Sequence, residues 1–425
     1  MSPVLAAAVL AAALTAPAGA ATQRTTAIDL GGARGFVHAD QGSPLAGVEL
    51  IVRAGLDRQT SAQNGLAALV AETVLRTPSG GVPLAAAVEG HGAGLSYSLG
   101  SQSVRFYLDG TPEAVAAAAP LVAAALAAPA FDPATLAAAR TELGDRIDDQ
   151  ESDPRLVGRA MLRTSYYRGG AGLPVLGDRA SLARLGPADA KAYYAAWYRR
   201  GDAVVAAVGR TGDATDAASR ALVAALPAGS TPAVTIATRP FGVSARRIIT
   251  HRDVGAPYVV LGFAAPPLGD RDFAAALVIR SLLGSLFDRG GATTPPTIFR
   301  PIGTSYATDV APAQLVLWIN GARVEPDVGL SAIGAVVKAA AAKPLTASVL
   351  GRYKETARGE WTLETVTLDR RACAIGDAVT HGLDADAGDD VAAAISRVTA
   401  ADVQRVAKKY FQRFDVALIL PRTGN

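Results

Sequence analysis

The sequence predicts an α+β fold of two homologous domains, each a mostly antiparallel sheet packed with helices. The order of predicted elements in the first half of the chain recurs in the second half. Paired segments with alternating apolar and polar residues are typical of antiparallel strands. Alanine-rich segments carry apolar residues at steps of three and four, which is typical of helices. With 425 residues, the chain is long enough for two such domains.

The first half runs from an edge strand to long helices and then closes with a short helix and a strand. Residues 25–40 predict the edge strand and a turn. The elements predicted after it are a strand at 47–53, helices at 65–76 and 83–89, a glycine-rich turn and strand at 91–100, a strand at 103–110, helices at 111–128 and 133–150, a helix at 187–198 and a strand at 203–209.

The second half repeats this order. Its predicted elements are a strand at 257–263, a helix at 273–287, strands at 302–310 and 314–321, helices at 328–341 and 346–364, a helix at 399–411 and a strand at 416–420. Two copies of one α+β unit are the simplest explanation. We therefore predict a first domain at 21–228, a linker rich in Pro, Gly, Ser and Thr at 229–240, and a second domain at 241–425.

Residues 1–20 predict a signal peptide. An apolar segment, Val4 to Leu14, precedes a small-x-small cleavage site at Ala18-Gly19-Ala20. We therefore expect an exported, periplasmic protein. A retained alanine-rich leader is the open alternative, because no basic residue precedes the apolar segment.

Composition and spacing argue against several other classes. The net charge is only +3, and no Lys/Arg cluster with interleaved aromatic residues indicates nucleic-acid binding. The long uncharged run 114–131 contains Pro120 and Pro129, which favours a buried helix over a transmembrane span. Cys373 is the single cysteine and has no evident base partner, and no G-x-S-x-G motif predicts a serine hydrolase. None of the four histidines pairs with another at helical spacing.

A Gly65-Leu66-Ala67 sequence opens the first predicted helix, and this context resembles the metal-binding helix of the insulinase/pitrilysin metallopeptidases, the inverzincins. In that family the helix continues as H-x-x-E-H, with two histidines as zinc ligands and a glutamate as general base. The corresponding positions here hold Ala68, Ala71 and Glu72. Further segments that resemble the family, in order, are Leu176-Gly177-Asp178, Leu185-Gly186-Pro187-Ala188-Asp189, Val208-Gly209 and Val398-Thr399-Ala400-Ala401-Asp402-Val403.

The resemblance implies a third ligand, a glutamate, on the long helix eight residues before a proline that follows an acidic stretch. Counting back from Pro154 gives 154 − 8 = 146, which is Arg146. A shifted register would give Asp145 or Asp148 instead. Because a tetrahedral zinc site needs three protein ligands, the resemblance implies a degenerate site: no metal in this chain, and zinc in a partner subunit.

In the second domain of this family, an R-x-x-x-G-x-x-Y segment after a Gly-Gly turn faces the zinc. The segment that resembles it begins at Gly290 and Gly291 and contains Arg300, Gly303 and Tyr306, one residue short between the arginine and the glycine. The resemblance implies that the Arg/Tyr pair stabilises the anionic tetrahedral intermediate and that the three glycines contact substrate. The alternative is an aromatic residue in a strand and a surface cation.

Taken together, the resemblance implies a non-catalytic subunit of an exported heterodimeric zinc metallopeptidase of insulinase type. Such a subunit would contribute substrate binding and transition-state stabilisation to oligopeptide cleavage, and it would be inactive without its zinc-bearing partner. Two alternatives stay open. One is a peptide-binding or scaffold pseudoenzyme without a catalytic partner, as in the respiratory-chain core subunits of this family. The other is an active peptidase that uses different ligands.

Overall fold

The computed structural model describes residues 24–241, 246–285, 300–320 and 326–422. The predicted signal peptide and the Gly290–Gly291 turn lie outside the described residues. The predicted fold class is confirmed: two sheets, each mostly antiparallel, are packed with helices.

Six strands form the first sheet, in the order β1-β2-β8-β3-β7-β6. Neighbours are antiparallel except β2 and β8, which are parallel. The strands are β1 (Thr26–Asp29), β2 (Arg34–Ala39), β3 (Ala46–Val52), β6 (Gly94–Leu99), β7 (Val104–Gly110) and β8 (Val204–Gly209), and a separate hairpin consists of β4 (Pro78–Ser79) and β5 (Val82–Pro83). Helices of this half are α1 (Leu66–Arg76), α2 (Leu84–Glu89), α3 (Pro112–Ala127), α4 (Pro133–Ser152), α5 (Pro154–Tyr166), α6 (Arg179–Arg184), α7 (Pro187–Trp197) and α8 (Asp213–Ala225).

Five strands form the second sheet, in the order β11-β12-β10-β13-β9, again with one parallel pair, β13 and β9. The strands are β9 (Arg247–Arg252), β10 (Tyr258–Ala265), β11 (Arg300–Tyr306), β12 (Ala313–Asn320) and β13 (Phe414–Pro421). Helices of this half are α9 (Phe273–Ser285), α10 (Pro326–Ala342), α11 (Ala347–Thr365), α12 (Leu368–Thr380), α13 (Ala387–Arg397) and α14 (Ala400–Tyr410).

Most elements of the two halves correspond in order, in agreement with the sequence repeat. Strands β3, β7 and β6 match β10, β12 and β11, and the parallel pair β2/β8 matches β9/β13. Helices α1, α4 and α5 match α9, α11 and α12 in chain order. The sequence-based assignment missed eight helices and strands, which include the matching pair α5 and α12; the others are β4, β5, α6, α8, β9 and α13.

One helix of each half packs on the sheet of the other half. Val157 and Leu162 of α5 pack on the second sheet, against residues that include Val260 and Ile419. Helix α12 correspondingly packs on the first sheet, where Ile375 lies in a cluster with the following residues: Ile51, Val204, Ala206 and Val208. Because both contacts bury apolar side chains from both halves, the two halves are held together across two separate apolar interfaces.

No single helix within the described ranges is both long and apolar enough to span a membrane. One pair, α10 and α11 taken together, reaches that length and composition, across a bend of 117°.

Candidate functional site

Helix α1 carries the positions at which the resemblance expects metal ligands. It begins after Gly65, whose φ of +88° is one that residues with a Cβ rarely adopt. A Cβ at Gly65 would also lie 2.9 Å from Cδ2 of Leu182 in α6. Ten of the eleven residues of α1, Leu66 through Leu75, are buried. Ala68 and Ala71 are therefore part of the hydrophobic core rather than of an open cleft.

Glu72 is the centre of an ion-pair network between α1 and α4. Its carboxylate accepts from Nε of Arg76 at 2.8 Å and lies 3.5 Å from Nη1 of Arg146. Arg146 also donates to the Tyr97 hydroxyl of β6 at 2.7 Å, and Arg76 donates to Glu142 at 2.7 Å. The Glu72 side chain is 4% exposed, whereas those of Arg146 and Arg76 are 38% and 31% exposed. The structure thus brings together Glu72 and Arg146, two of the four positions predicted for the degenerate site.

The alternative register is not favoured by the geometry. Asp148 pairs with Arg179 of α6 at 2.6 Å, with both side chains more than half exposed at 63% and 56%. That exposure is typical of a solvated, charged helix end.

The donors around Glu72 do not fit a tetrahedral zinc site. Methyl groups at Ala68 and Ala71 have no lone pair to offer. The Glu72 carboxylate is already neutralised by the guanidinium groups of Arg76 and Arg146. Burial, followed by the nearby charge of Glu72, raises the pKa of the Tyr97 hydroxyl, so it stays protonated. A cation at this place would have to displace two cations that the fold itself supplies.

One other group of side chains within the described residues has ligand atoms close enough to share a metal ion. His38, Asp386 and Asp389 come together between β2 and the start of α13, with their ligand atoms within 4.8 Å of one another. However, Asp389 forms an ion pair with Arg371. Burial and then the charge of Arg371 lower the pKa of His38. This group lies at the junction of the two halves and does not include any residue of α1 or α4.

Tyr306 ends the edge strand β11, and its side chain is directed into its own half. Its hydroxyl donates to the Pro266 carbonyl at 2.5 Å, and its ring packs on Phe273 with centroids 5.0 Å apart. Burial raises the pKa of this hydroxyl well above its ordinary value. Neither contact involves α1 or α4, so the structure does not bring Tyr306 together with Glu72. Its catalytic role stays a prediction.

The other residues of that predicted segment are only partly described. Arg300 opens β11 opposite Asn320 in the backbone register, and Gly303 lies opposite Trp318. Between Pro301 and Gly303 the register shifts by a bulge. Gly290 and Gly291 lie outside the described residues.

A second buried polar network, which the sequence did not reveal, joins β3 and β7 to α12. Arg105 forms an ion pair with Asp377 and lies 3.7 Å from Glu49, which accepts from the Cys373 thiol at 3.2 Å. The second carboxylate oxygen of Glu49 has no hydrogen-bond partner. Burial, partly offset by the charge of Arg105, raises the pKa of Glu49 to about 7. Only tertiary contact between the halves brings these groups together, because Glu49 and Cys373 are 324 residues apart.

Comparison with known proteins gives one family match. Residues 184–297 match the family described as Peptidase M16 inactive domain. No curated protein matches the chain.

Several solved structures share the fold over almost the whole chain. A protease from Helicobacter pylori superposes with a TM-score of 0.79 at 13% identity, covering 94% of this chain and 100% of the other. A peptidase M16 inactive domain from Pseudomonas fluorescens gives 0.77 at 18%, with 94% and 99% covered. A chain of complex III2 from Candida albicans gives 0.74 at 14%, with 93% and 95% covered. At these identities the likeness establishes the fold.

Proposed function

Because residues 184–297 match the Peptidase M16 inactive domain family and the metal-ligand positions of α1 are altered, we propose that this chain is the non-catalytic subunit of a heterodimeric zinc metallopeptidase of the M16 family. In this proposal the complex is exported to the periplasm and cleaves oligopeptides. The zinc ion is bound by the partner subunit, and this chain contributes substrate binding.

One observation carries the proposal: the Glu72 ion-pair network at the place where the resemblance expects zinc. Its four charged groups, Glu72, Arg76, Arg146 and Glu142, are paired with one another, and the Glu72 carboxylate is bonded to Arg76 and lies next to Arg146. In the family, H-x-x-E-H supplies the ion and the general base. This chain has neither at α1, so a hydrolytic complex would need both from a second polypeptide.

The experiment is reconstitution. The full chain is purified alone and then mixed with a candidate partner that carries an intact H-x-x-E-H motif. We expect no oligopeptide hydrolysis from either chain alone, and chelator-sensitive hydrolysis from the mixture. Hydrolysis by this chain alone that a chelator abolishes would contradict the proposal and would favour a peptidase with different ligands.

Transition-state stabilisation by Arg300 and Tyr306 is a second, separable part of the proposal. The Tyr306 hydroxyl is bonded to Pro266, so this part requires that assembly or peptide binding exchange that bond for one to substrate. Tyr306→Phe in the reconstituted complex would then lower kcat by roughly 10²-fold, as loss of an oxyanion donor does. Unchanged kcat in a stable variant would remove this part and leave the subunit role intact.

A scaffold role without a catalytic partner is the second candidate. It is favoured by the likeness in fold to a chain of complex III2, which is a multi-subunit assembly. Isolation of the native complex separates the two: a stable assembly whose other subunits all lack H-x-x-E-H would support the scaffold role.

A further inference from the structure

A cavity of about 290 Å³ lies between the two halves of the chain, outside the Glu72 network. Helix α5 forms one wall, and strands β11 and β12 of the other half form the opposite wall. Its volume is at the small end of ligand pockets, which suits one or two residues of a peptide or a small metabolite.

Two arginines of α5 line this cavity, one helical turn apart. Arg163 donates to the Ser101 hydroxyl at 2.5 Å, and its guanidinium lies 5.6 Å from the ring centroid of Tyr167. Its Nε is buried without a hydrogen-bond partner. Arg159 forms no hydrogen bond or ion pair with any residue that the structure describes. Like charges at this spacing repel. The two guanidinium groups therefore lie side by side at a cost in free energy, and no ion pair with a described carboxylate offsets it.

No described carboxylate lies within the 4.0 Å ion-pair distance of either guanidinium. Asp309 is the acidic side chain whose charge acts on both. Its carboxylate, however, accepts from the backbone N–H of Ser101 at 3.2 Å. Burial lowers the pKa of both arginines, although Arg159 keeps an exposed side and Arg163 is half-buried. The charge of Asp153 also acts on Arg159, but the residues that line the cavity include both arginines and no carboxylate.

Gln314 of β12 adds a third unsatisfied donor to the same cavity. Its side chain belongs to a residue that is only 5% exposed, and its amide nitrogen has no hydrogen-bond partner. A Cβ at Gly262 of the neighbouring strand β10 would lie 2.7 Å from this nitrogen, so the glycine leaves room for the amide. A buried donor without a partner is costly and rare. Unpaired donors from α5 and β12 thus line one partly open cavity.

From this arrangement we propose that the cavity binds a carboxylate, and specifically the C-terminal carboxylate of an oligopeptide. A guanidinium donates two parallel N–H groups to a carboxylate, and the fork geometry makes this pairing stronger than a neutral hydrogen bond. The wall beside the arginines is apolar and would accommodate the terminal side chain; it comprises Leu156, Ala160, Val175 and Val316. Only the choice of an oligopeptide as the source of the carboxylate rests on the function proposed above.

The test compares one oligopeptide with a free C-terminus and the same peptide with a C-terminal amide. Both carry a fluorophore at the N-terminus, and binding to the full chain is followed by anisotropy. We expect the acid to bind roughly tenfold or more tightly than the amide, because it alone offers charged acceptors to the arginines. Equal affinity of acid and amide for the native chain would overturn the proposal without the need for any variant.

Variants then assign the effect to this cavity. Arg159→Gln and Gln314→Met should each reduce the preference for the acid, the arginine change the more strongly. Arg155→Gln is the matched control: Arg155 lies on the same helix, pairs with Asp153 two residues before it and does not line the cavity. Thermal unfolding of each variant shows that it is folded. A preference that survives Arg159→Gln and Gln314→Met in folded protein would also overturn the proposal.

Competition with a free short-chain monocarboxylate distinguishes the source of the ligand. If the free monocarboxylate displaces the peptide only at concentrations far above the Kd of the peptide, the ligand is the peptide terminus. Displacement at concentrations near the Kd of the peptide would instead indicate a small free carboxylate as the ligand of the same donors. Failure here is distinguishable from failure of the proposed function. If the reconstituted complex hydrolyses the acid and amide peptides at equal rates, the cavity proposal fails and the subunit role is unaffected. If the chain binds the acid selectively but never activates a partner, the subunit role fails and the cavity proposal is unaffected.

Discussion

In each half, ion pairs connect the first helix to a long helix: α1 to α4 in the first half and α9 to α11 in the second. The sign of the buried charge is reversed between the two halves. Between α1 and α4 the buried member is a carboxylate, Glu72, and its partly exposed partners are arginines. Between α9 and α11 the buried member is a guanidinium: Arg280, 2% exposed, pairs with Glu360 at 3.4 Å and Glu364 at 3.0 Å, which are 40% and 45% exposed.

This inversion shows that both halves place a buried charge and partly exposed counter-charges at this helix crossing, with opposite signs in the two halves. Only the first half places a carboxylate, a group able to bind a metal ion, at the buried position. In the second half the buried cation of Arg280 would repel a metal ion. At these two helix crossings, only the first half has a buried residue that could bind a metal ion, Glu72. Arg76 and Arg146 neutralise its carboxylate, as a metal ion would.

Removal of both cations around Glu72 should have the largest effect. Arg76→Ala combined with Arg146→Ala leaves a buried carboxylate without a counter-charge, and we expect a loss of about 3 kcal/mol or more in the free energy of unfolding. Urea denaturation measures it. The matched double variant in the second half, Glu360→Ala with Glu364→Ala, should cost a similar amount. A loss well under 1 kcal/mol in both would show that the ion pairs are not the common feature of the two helix crossings.

Glu49 sharpens the comparison, because it is a buried carboxylate with one arginine beside it, whereas Glu72 has two. Its pKa is about 7 in the folded protein against an ordinary 4.5, so the folded state binds the proton more strongly between these values. Stability must then fall as pH rises through that window.

Glu49→Gln has no charge to lose and should lack this slope. We expect the difference in free energy of unfolding between the variant and the native chain to shift in favour of the variant from pH 4.5 to 7, by up to about 3 kcal/mol. Taking the difference cancels other groups such as Asp57. A pH-independent difference would mean that Arg105 fully stabilises the charged form.

The starts of the two first helices also differ. Helix α1 starts after Gly65 at positive φ, whereas α9 follows Asp272, a buried carboxylate that pairs with Arg405 and Lys409. Gly65→Ala should therefore cost about 1–2 kcal/mol, from the left-handed backbone and the close approach of Leu182. Thermal unfolding of the variant measures this, and an unchanged Tm would show that the start of α1 relaxes freely.

The smallest effect is expected from Arg280→Met. The change replaces a buried cation by an apolar chain of similar length, and Glu360 and Glu364 are exposed enough to be solvated by water. Such replacements are often close to neutral, so we expect a change within about 1 kcal/mol. A loss of about 3 kcal/mol would show that the guanidinium itself is required for the helix crossing.

Most of the fold could be predicted from the sequence, because its signal is local. The periodicities of α1, α4 and the strand pairs are visible in short windows, and the repeat confirms them. Helices α5 and α12 are also amphipathic but were missed in the sequence-based assignment, and the place where they pack could not be predicted. Their buried faces pack on the sheet of the other half, so the apolar partners of Leu162 or Ile375 are far away in sequence.

The candidate site was predictable only as a set of losses. The sequence shows that Ala68 and Ala71 cannot bind metal, and a count of residues indicates Arg146. It does not show that Arg146 contacts Glu72 and Tyr97, since that depends on how α1, α4 and β6 pack. The direction of Tyr306 was likewise hidden, because a bulge between Pro301 and Gly303 shifts the register on which side-chain alternation depends.

The most direct test is the zinc content of the full chain, purified alone, incubated with zinc, dialysed and analysed by mass spectrometry of the metal. With the Glu72 carboxylate held by Arg76 and Arg146, we predict no zinc above that of the dialysis buffer. One tightly bound zinc ion per chain, lost in Glu72→Ala, would contradict the account.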